Sequence, residues 1–237
     1  MKIKTASGSH ETQREWVHHR IRGDLMRGRY APGERLTIAR LSEDLGVSMT
    51  PVREALNRLA AEGALVVDPN RSMSVPRPSL DELLTVRQVR EMVEGLAARR
   101  AAERISVARL GRVQRIGAEL EKARLQREPA RILRLNEEFH FAVYESAAEP
   151  VLAGLIAMMW LRSAPSLHLL FSPDHISSYP LSEQNRSNLA LIQALRVRDG
   201  DAAERAIVAE IALGSQLLRQ LMSASVRRSG KSIGERP

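Results

Sequence analysis

The sequence predicts a mainly α fold in two parts: a small N-terminal module of helices closed by a two-stranded ribbon, and a larger C-terminal all-α bundle of about six or seven helices. Three observations carry this. Residues 41–63, LSEDLGVSMTPVREALNRLAAEG, read as two short helices joined by a tight glycine turn. The segments ALVVD, PNRS and MSVP that follow read as strand, turn and strand. From Leu80 onward helical spacing persists and no alternating strand pattern survives.

In chain order, residues 1–9 are expected to form a flexible N-terminus, and MKIKTASGSHETQREW lacks the apolar segment of a signal peptide. Trp16, Val17, Ile21 and Leu25 recur at helical spacing and mark an amphipathic helix that ends at Gly28, before the APGERL turn. Ile38, Leu41 and Leu45 share a face of the next helix, and Gly46 supplies the backbone freedom to reverse. Ser48 is expected to cap the following helix. Pro51 sits just inside its start, where a missing N–H costs nothing. Ala55, Leu56 and Leu59 turn inward, which leaves Thr50, Arg53, Asn57 and Arg58 outward. Such side chains can hydrogen-bond phosphates or base edges if the helix lies in a major groove. Gly63 stops the helix, and the ribbon after it has a basic tip at Arg71. Helix-turn-helix plus ribbon makes a winged module over residues 10–76.

Pro76 and Pro78 disfavour helix, and Ser79 with Glu82 has capping-box spacing, so residues 77–79 are read as a linker. The bundle, residues 80–224, is expected to hold helices at about 80–104, 107–126, 129–147, 150–170, 181–199 and 201–223. Its long irregular piece is FSPDHISSYP, residues 171–180, and residues 225–237 are expected to be a flexible basic tail. The apolar stretch VLAGLIAMMWL, between Glu149-Pro150 and Arg162, is too short to span a bilayer and is expected to be a buried helix of a soluble domain.

The 237 residues carry a net charge of +8, which favours a polyanionic partner. Residues 1–78 hold 13 Lys and Arg against 9 Asp and Glu, a difference of +4, and residues 226–237 hold 4 against 1, or +3. There is no cysteine, which excludes disulfides, thiolate metal sites and cysteine nucleophiles and fits a cytoplasmic location. Nothing resembles a nucleophile with a nearby base, a phosphate-cradling glycine loop or an HExxH pair, so no enzyme is expected.

The segment GRYAPGERLTIARLSEDLGVSMTPVREALNRLAAEGALVV resembles the N-terminal domain of GntR-type bacterial transcription regulators. The likeness lies in the spacing of Pro32-Gly33, Leu36, Leu41, Gly46-Val47-Ser48, Thr50 to Leu56, Leu59 and Glu62-Gly63. It implies a homodimer on double-stranded operator DNA. The residues expected to meet DNA are Arg35, Arg40, Ser48, Met49, Thr50, Pro51, Arg53, Asn57, Arg58 and Arg71. Two positions depart from the family: Met49 stands where most relatives carry arginine, and the charge many carry near Ala39 is displaced to Arg40. A relative's operator therefore does not transfer.

In the second part, VRQVREMVEGLAARRAA, LNEEFHFAVYESAAEPVL and NLALIQALRVRDGDAAERAIVAEI resemble helices of the FCD ligand-binding domain, found in the FadR-like branch of the family. That resemblance implies a bundle enclosing a polar cavity for a small effector, commonly an organic acid, and often a divalent metal. Metal-binding members use an Asp and a His on the central helix and two further His. The matching positions here are Asn136, His140, Asn188 and Glu210, of which only His140 is unchanged. A hard cation with water, no metal at all, or a hydrogen-bonded pocket in which the same four residues hold the effector all remain open. Arg90 and Arg162 match positions from which relatives reach their ligand, and either guanidinium can grip a carboxylate. Alternatively Arg90 pairs with Glu94 one turn on, and Arg162 caps helix-end carbonyls. His168 and His175, near the irregular loop, can gate the pocket or lie exposed, and His18 and His19 point to different faces. Two functional readings follow: a repressor relieved by effector binding, and a constitutive dimeric regulator whose second domain has lost its effector.

Overall fold

Hydroxyl side chains set the helix starts. Thr12 with Glu15, and Ser79 with Glu82, form complete capping boxes, while Thr37 and Ser106 each accept one backbone N–H of the helix they open. The computed structural model describes residues 2–4, 10–68, 72–171 and 180–231. Two compact units result, Met1–Pro78 with Trp160–His168, and Ser79–Met159 with Leu169–Pro237. The division after Pro78 falls within the linker read from the two prolines.

In the first unit, strands β1 (Lys2–Lys4) and β2 (His10–Thr12) pair antiparallel, followed by α1 (Gln13–Met26), β3 (Arg35–Leu36), α2 (Ile38–Leu45), α3 (Met49–Ala61), β4 (Val66–Val67) and β5 (Met73–Ser74). Its core is the meeting of inward faces. Val17, Ile21 and Leu25 of α1, Leu41 of α2, and Val52, Leu56 and Leu59 of α3 are all buried. Each such side chain contributes about 1.5–3 kcal/mol relative to exposure. The wing has three strands in the order β3-β5-β4, all antiparallel, one more than the expected ribbon. The extra strand comes from the APGERL turn, whose Arg35 and Leu36 pair with Ser74 and Met73. The paired Lys2–Lys4 likewise departs from the flexible start expected for residues 1–9. Lys-Ile-Lys is too short for its alternation to predict a strand, so only its backbone pairing reveals one.

Gly46 adopts φ 64° and ψ 35°, the left-handed conformation that lets α2 end and the chain turn into α3.

The second unit contains α4 (Leu80–Arg104), α5 (Val107–Leu125), α6 (Pro129–Tyr144) continued by a 3-10 turn (Glu145–Ala147), α7 (Pro150–Leu170, in part), α8 (Leu181–Val197) and α9 (Gly200–Lys231). Helix α4 packs chiefly along α9, α5 along α6, and α8 along α9. The α4–α9 approach is close at Gly95, where an added Cβ would lie 3.1 Å from Glu204, and α4 buries Ala97, Ala98, Ala101 and Ala102 among its neighbours. Helix α9 runs to Lys231 rather than about 223 and absorbs the first residues of the tail expected at 225–237. No proline interrupts that stretch, and Gly230 is its first glycine after Gly214.

Helix α7 has 21 residues and meets the length and composition needed to cross a membrane; 44% of its most apolar stretch is buried. It is longer than the apolar stretch VLAGLIAMMWL because it continues through Arg162 and Pro165 to Leu170. Its residues Trp160–His168, assigned by sequence to the bundle, group with the first unit, where His168 Nδ1 lies 2.9 Å from the Gly28 carbonyl.

A Cβ added to Gly46 would have no heavy atom within 4 Å, so Gly46→Ala tests backbone strain without a clash. The substitution is expected to cost about 1–2 kcal/mol, read as a lower urea midpoint with unchanged m-value. An unaltered midpoint would show that the turn tolerates a side chain.

Candidate functional site

Packing of the inward residues of α3 leaves a continuous outward strip of Met49, Thr50, Arg53, Asn57 and Arg58, all exposed. Arg53 and Asn57 engage no partner among the described residues. Arg58 is different: its Nε donates to Glu62 Oε1 at 3.1 Å, and the same carboxylate faces His18 Nε2 at 3.0 Å and Arg22 Nε at 3.5 Å. Arg40 lies 3.7 Å from Glu34 and 3.8 Å from Asp44, and Arg35 3.9 Å from Asp68. At the wing, Ser72 and Ser74 donate to Asp68 at 2.8 and 3.1 Å and hold its carboxyl below the usual range.

Two expectations on this face are corrected. Pro51 is buried at the third position of α3, so it shapes the helix start and does not share the exposed strip. Ser48 occupies the N-cap position by its backbone, but its hydroxyl makes no cap hydrogen bond, which leaves an exposed hydroxyl at the head of the helix. Arg71 lies outside the described residues, as does His175.

The second unit holds a continuous buried polar network to which five helices contribute. On α4, Arg90 Nε and Nη2 donate to Glu94 Oε1 and Oε2 at 2.5 and 3.3 Å. Glu94, with no exposed surface, also accepts from the Tyr144 hydroxyl of α6 at 2.5 Å. That hydroxyl lies 3.3 Å from His140 Nδ1, and His140 Nε2 lies 3.1 Å from Glu210 Oε1 of α9. Gln184 of α8 donates to Glu210 Oε1 at 3.1 Å. Asn188, its amide oriented to suit both neighbours, donates to Glu210 Oε2 and accepts from Arg124 Nη1 of α5, each at 2.9 Å. Arg124 also donates to Asn185 Oδ1 at 2.8 Å and Asn136 Oδ1 at 3.3 Å.

Electrostatics follow from this geometry. Burial alone would raise the Glu210 carboxyl, but His140, Arg124 and Gln184 outweigh it and hold the group below the ordinary carboxylate value. Burial, reinforced by the Glu94 charge, pushes the Tyr144 phenol well up. At neutral pH Glu210 is therefore ionised and Tyr144 protonated.

Of the six pocket residues expected from sequence, Arg90, Asn136, His140, Asn188 and Glu210 belong to the network. Arg162 does not. It is exposed, grouped with the first unit, and its guanidinium lies beside Gly63. Arg90 sits in the ion pair with Glu94 that was its alternative reading. Glu94, expected only as the partner of Arg90, joins the network, and Arg124, Tyr144, Gln184 and Asn185 complete it without having been expected. Spacing carried some of that information: Tyr144 follows His140 by four residues, Gln184 precedes Asn188 by four, and Arg124 shares a helix face with the buried Val113 and Leu120.

The four positions do not fit a dedicated divalent-cation site. Two are neutral amides whose oxygens face the Arg124 guanidinium, and Glu210 is already held by His140, Gln184 and Asn188. Among the described residues no group of three or more His, Cys, Asp or Glu could hold a metal ion. A cleft of about 240 Å³ opens between α5 and α8, with Gly117 and Glu121 on one side and Asn185, Asn188 and Ile192 on the other. Through the two asparagines it reaches the partners of Arg124.

Residues 13–75 match the family model described as bacterial regulatory proteins, gntR family, and residues 85–213 match the FCD domain. The chain is 32% identical over 195 residues to the HTH-type transcriptional regulator McbR of Escherichia coli K12, covering 82% of this chain and 87% of that protein. It is 27% identical over 224 residues to the HTH-type transcriptional repressor RspR of the same strain, covering 93% and 95%. Among solved structures, E. coli McbR/YncC aligns with TM-score 0.83 and 28% identity over 89% of this chain and 98% of that one.

Removing the Tyr144 hydroxyl deletes one of the hydrogen bonds to a fully buried carboxylate. Tyr144→Phe is expected to destabilise the protein by about 1–3 kcal/mol in urea denaturation. A stability equal to that of the parent would show that Glu94 does not depend on this bond.

Proposed function

Since the chain belongs to the gntR family of bacterial regulatory proteins and carries an FCD domain, we propose that it is a homodimeric repressor whose hold on operator DNA is set by a small molecule in the helical unit. It is a DNA-binding transcriptional regulator of GntR and FCD type. Repression is the finer reading, supported by the repressor named among its relatives.

The observation that carries DNA recognition is the strip on α3. Side chains that fold and pack without internal partners are free to exchange water for phosphate or base edges, and Arg53 can present two parallel donors to a guanine. Arg58 and Arg40 must first be drawn from nearby carboxylates, which reduces the net gain from either. A dimer is supported by two exposed apolar stripes in the bundle, Val89, Met92 and Leu96 on α4 and Val151, Leu155 and Met158 on α7. A two-fold partner would pair two reading helices with a pseudo-palindromic operator.

For sensing, the support is the polar network itself and the cleft that reaches it. Effector binding can shift operator affinity only by the effector's preference between two states of the protein. The second reading, a constitutive regulator, also has an observation in its favour: the two network arginines face two network carboxylates, so an acid would have to compete with Glu94 or Glu210. Thermal shift with a panel of small carboxylates separates the readings. A saturable rise supports sensing, and no shift in protein that still binds operator supports the constitutive dimer.

Arg53→Ala is expected to cost about 1–3 kcal/mol of discrimination between operator and scrambled duplex. Arg58→Ala is expected to cost less. Gel shifts at fixed salt measure both, and unchanged affinity for Arg53→Ala would reject its role.

A further inference from the structure

We propose that Arg124 is the resident cation of the helical unit: its guanidinium supplies, from within the fold, a positive charge held by Asn136 and Asn188 and linked through Asn188 to Glu210 and His140. The unit then folds and works with no divalent metal there. This rests on reading the bundle as an FCD domain.

Arg124 is only 2% exposed and lies on the face of α5 that also buries Val113, Leu120 and Ala123. A guanidinium is not placed there by snorkelling to water; it is held by acceptors. Those acceptors are amide oxygens, from Asn136 at 3.3 Å, Asn185 at 2.8 Å and Asn188 at 2.9 Å. Asn188 passes the interaction on, its amide nitrogen donating to Glu210 Oε2 at 2.9 Å.

The residue types agree with this assignment. A neutral amide is a poor ligand for a transition metal but a good acceptor for a planar N–H fork. One carboxylate, Glu210, then suffices to neutralise one guanidinium, and its second oxygen is satisfied by His140 and Gln184. A divalent ion added to this set would bring two uncompensated charges beside a fixed one, among side chains that are largely buried. Asparagine at residues 136 and 188 thus suits the arginine at residue 124, since both amide oxygens accept from its guanidinium.

The test is a double-mutant cycle on the full-length protein, read as melting temperature. Arg124→Met and Glu210→Gln are each expected to lower Tm, Arg124→Met by roughly 10 °C. The double variant is expected to recover at least half of the Arg124→Met loss, because both charges leave together. If Arg124→Met fails to fold, a soluble, cooperatively melting double variant supports the same pairing. Losses that simply add, or a double variant that also fails to fold, overturn it. Wild-type Tm is expected to be the same in EDTA, MnCl2 and ZnCl2; a saturable rise with either metal, or a fall in EDTA, overturns the proposal. Operator binding by wild type in gel shifts reads the functional assignment separately: a retained shift with an additive cycle sinks the resident cation alone.

Discussion

The constraint on which the helical unit depends is the burial of two carboxylates, Glu94 and Glu210, in a bundle that offers them almost no water. Removing either ion's partner would leave a charge in a medium where it costs several kcal/mol. Each carboxylate therefore fixes its surroundings: Glu94 gathers Arg90 and Tyr144, and Glu210 gathers His140, Gln184, Asn188 and, through Asn188, Arg124. Because these partners come from α4, α5, α6, α8 and α9, satisfying two charges sets the relative rotation of five helices. Apolar packing alone sets such rotations loosely, since a helix can slip by a fraction of a turn and still bury its stripe. A hydrogen-bond network cannot slip without orphaning a buried group.

The first unit works on the opposite plan. Its core is mostly apolar, drawn from α1, α2 and α3 with His18, Asp24 and Ser42 buried beside it, and most of its charges lie outside, where ion pairs contribute little to stability. What matters there is which charges remain uncommitted. Glu62 takes up Arg58, His18 and Arg22, and Asp68 takes up the wing hydroxyls, whereas Arg53 and Asn57 are left to solvent among the described residues. Stability and recognition are thus carried by different side chains of the same helix, with Val52, Ala55, Leu56 and Leu59 inward and Thr50, Arg53 and Asn57 outward. The left-handed Gly46 couples them, since it fixes where α3 begins and so which residues face out.

Much of this was legible because it is local. Capping at Ser79 and Glu82, the glycine reversal at Gly46, the break at Glu128-Pro129 and the inward spacing of α3 all act within a few residues, and the structure has each of them. The departures are tertiary. Nothing near Arg35 and Leu36 announces a third wing strand, because its partner is almost forty residues away. Pro51 looked available because its backbone role was visible and its burial was not. Arg124 was missed for a different reason: a charge in a helical repeat reads as solvent-facing, and its phase with Val113 and Leu120 becomes informative only once Asn136, Asn185 and Asn188 are known to converge on it. Two of the residues it serves, Asn136 and Asn188, were found, while Asn185 and the reason for their types were not.

Sensing by such a network is bounded by exchange. An acid reaching Arg90 or Arg124 gains a guanidinium but must release Glu94 or Glu210, and the released carboxylate then needs a partner or a proton. The net preference is the difference between two similar ion pairs, smaller than either pair taken alone, and the coupling to DNA cannot exceed it. A ligand that donates a hydrogen bond meets no such competition. Gln184 Oε1 is buried and has no hydrogen-bond partner among the described residues, while its nitrogen is committed to Glu210. Hydrogen-bond donation to an unpartnered oxygen adds an interaction without breaking one, so a ligand that reached this atom would gain more from an N–H or O–H group than from negative charge alone.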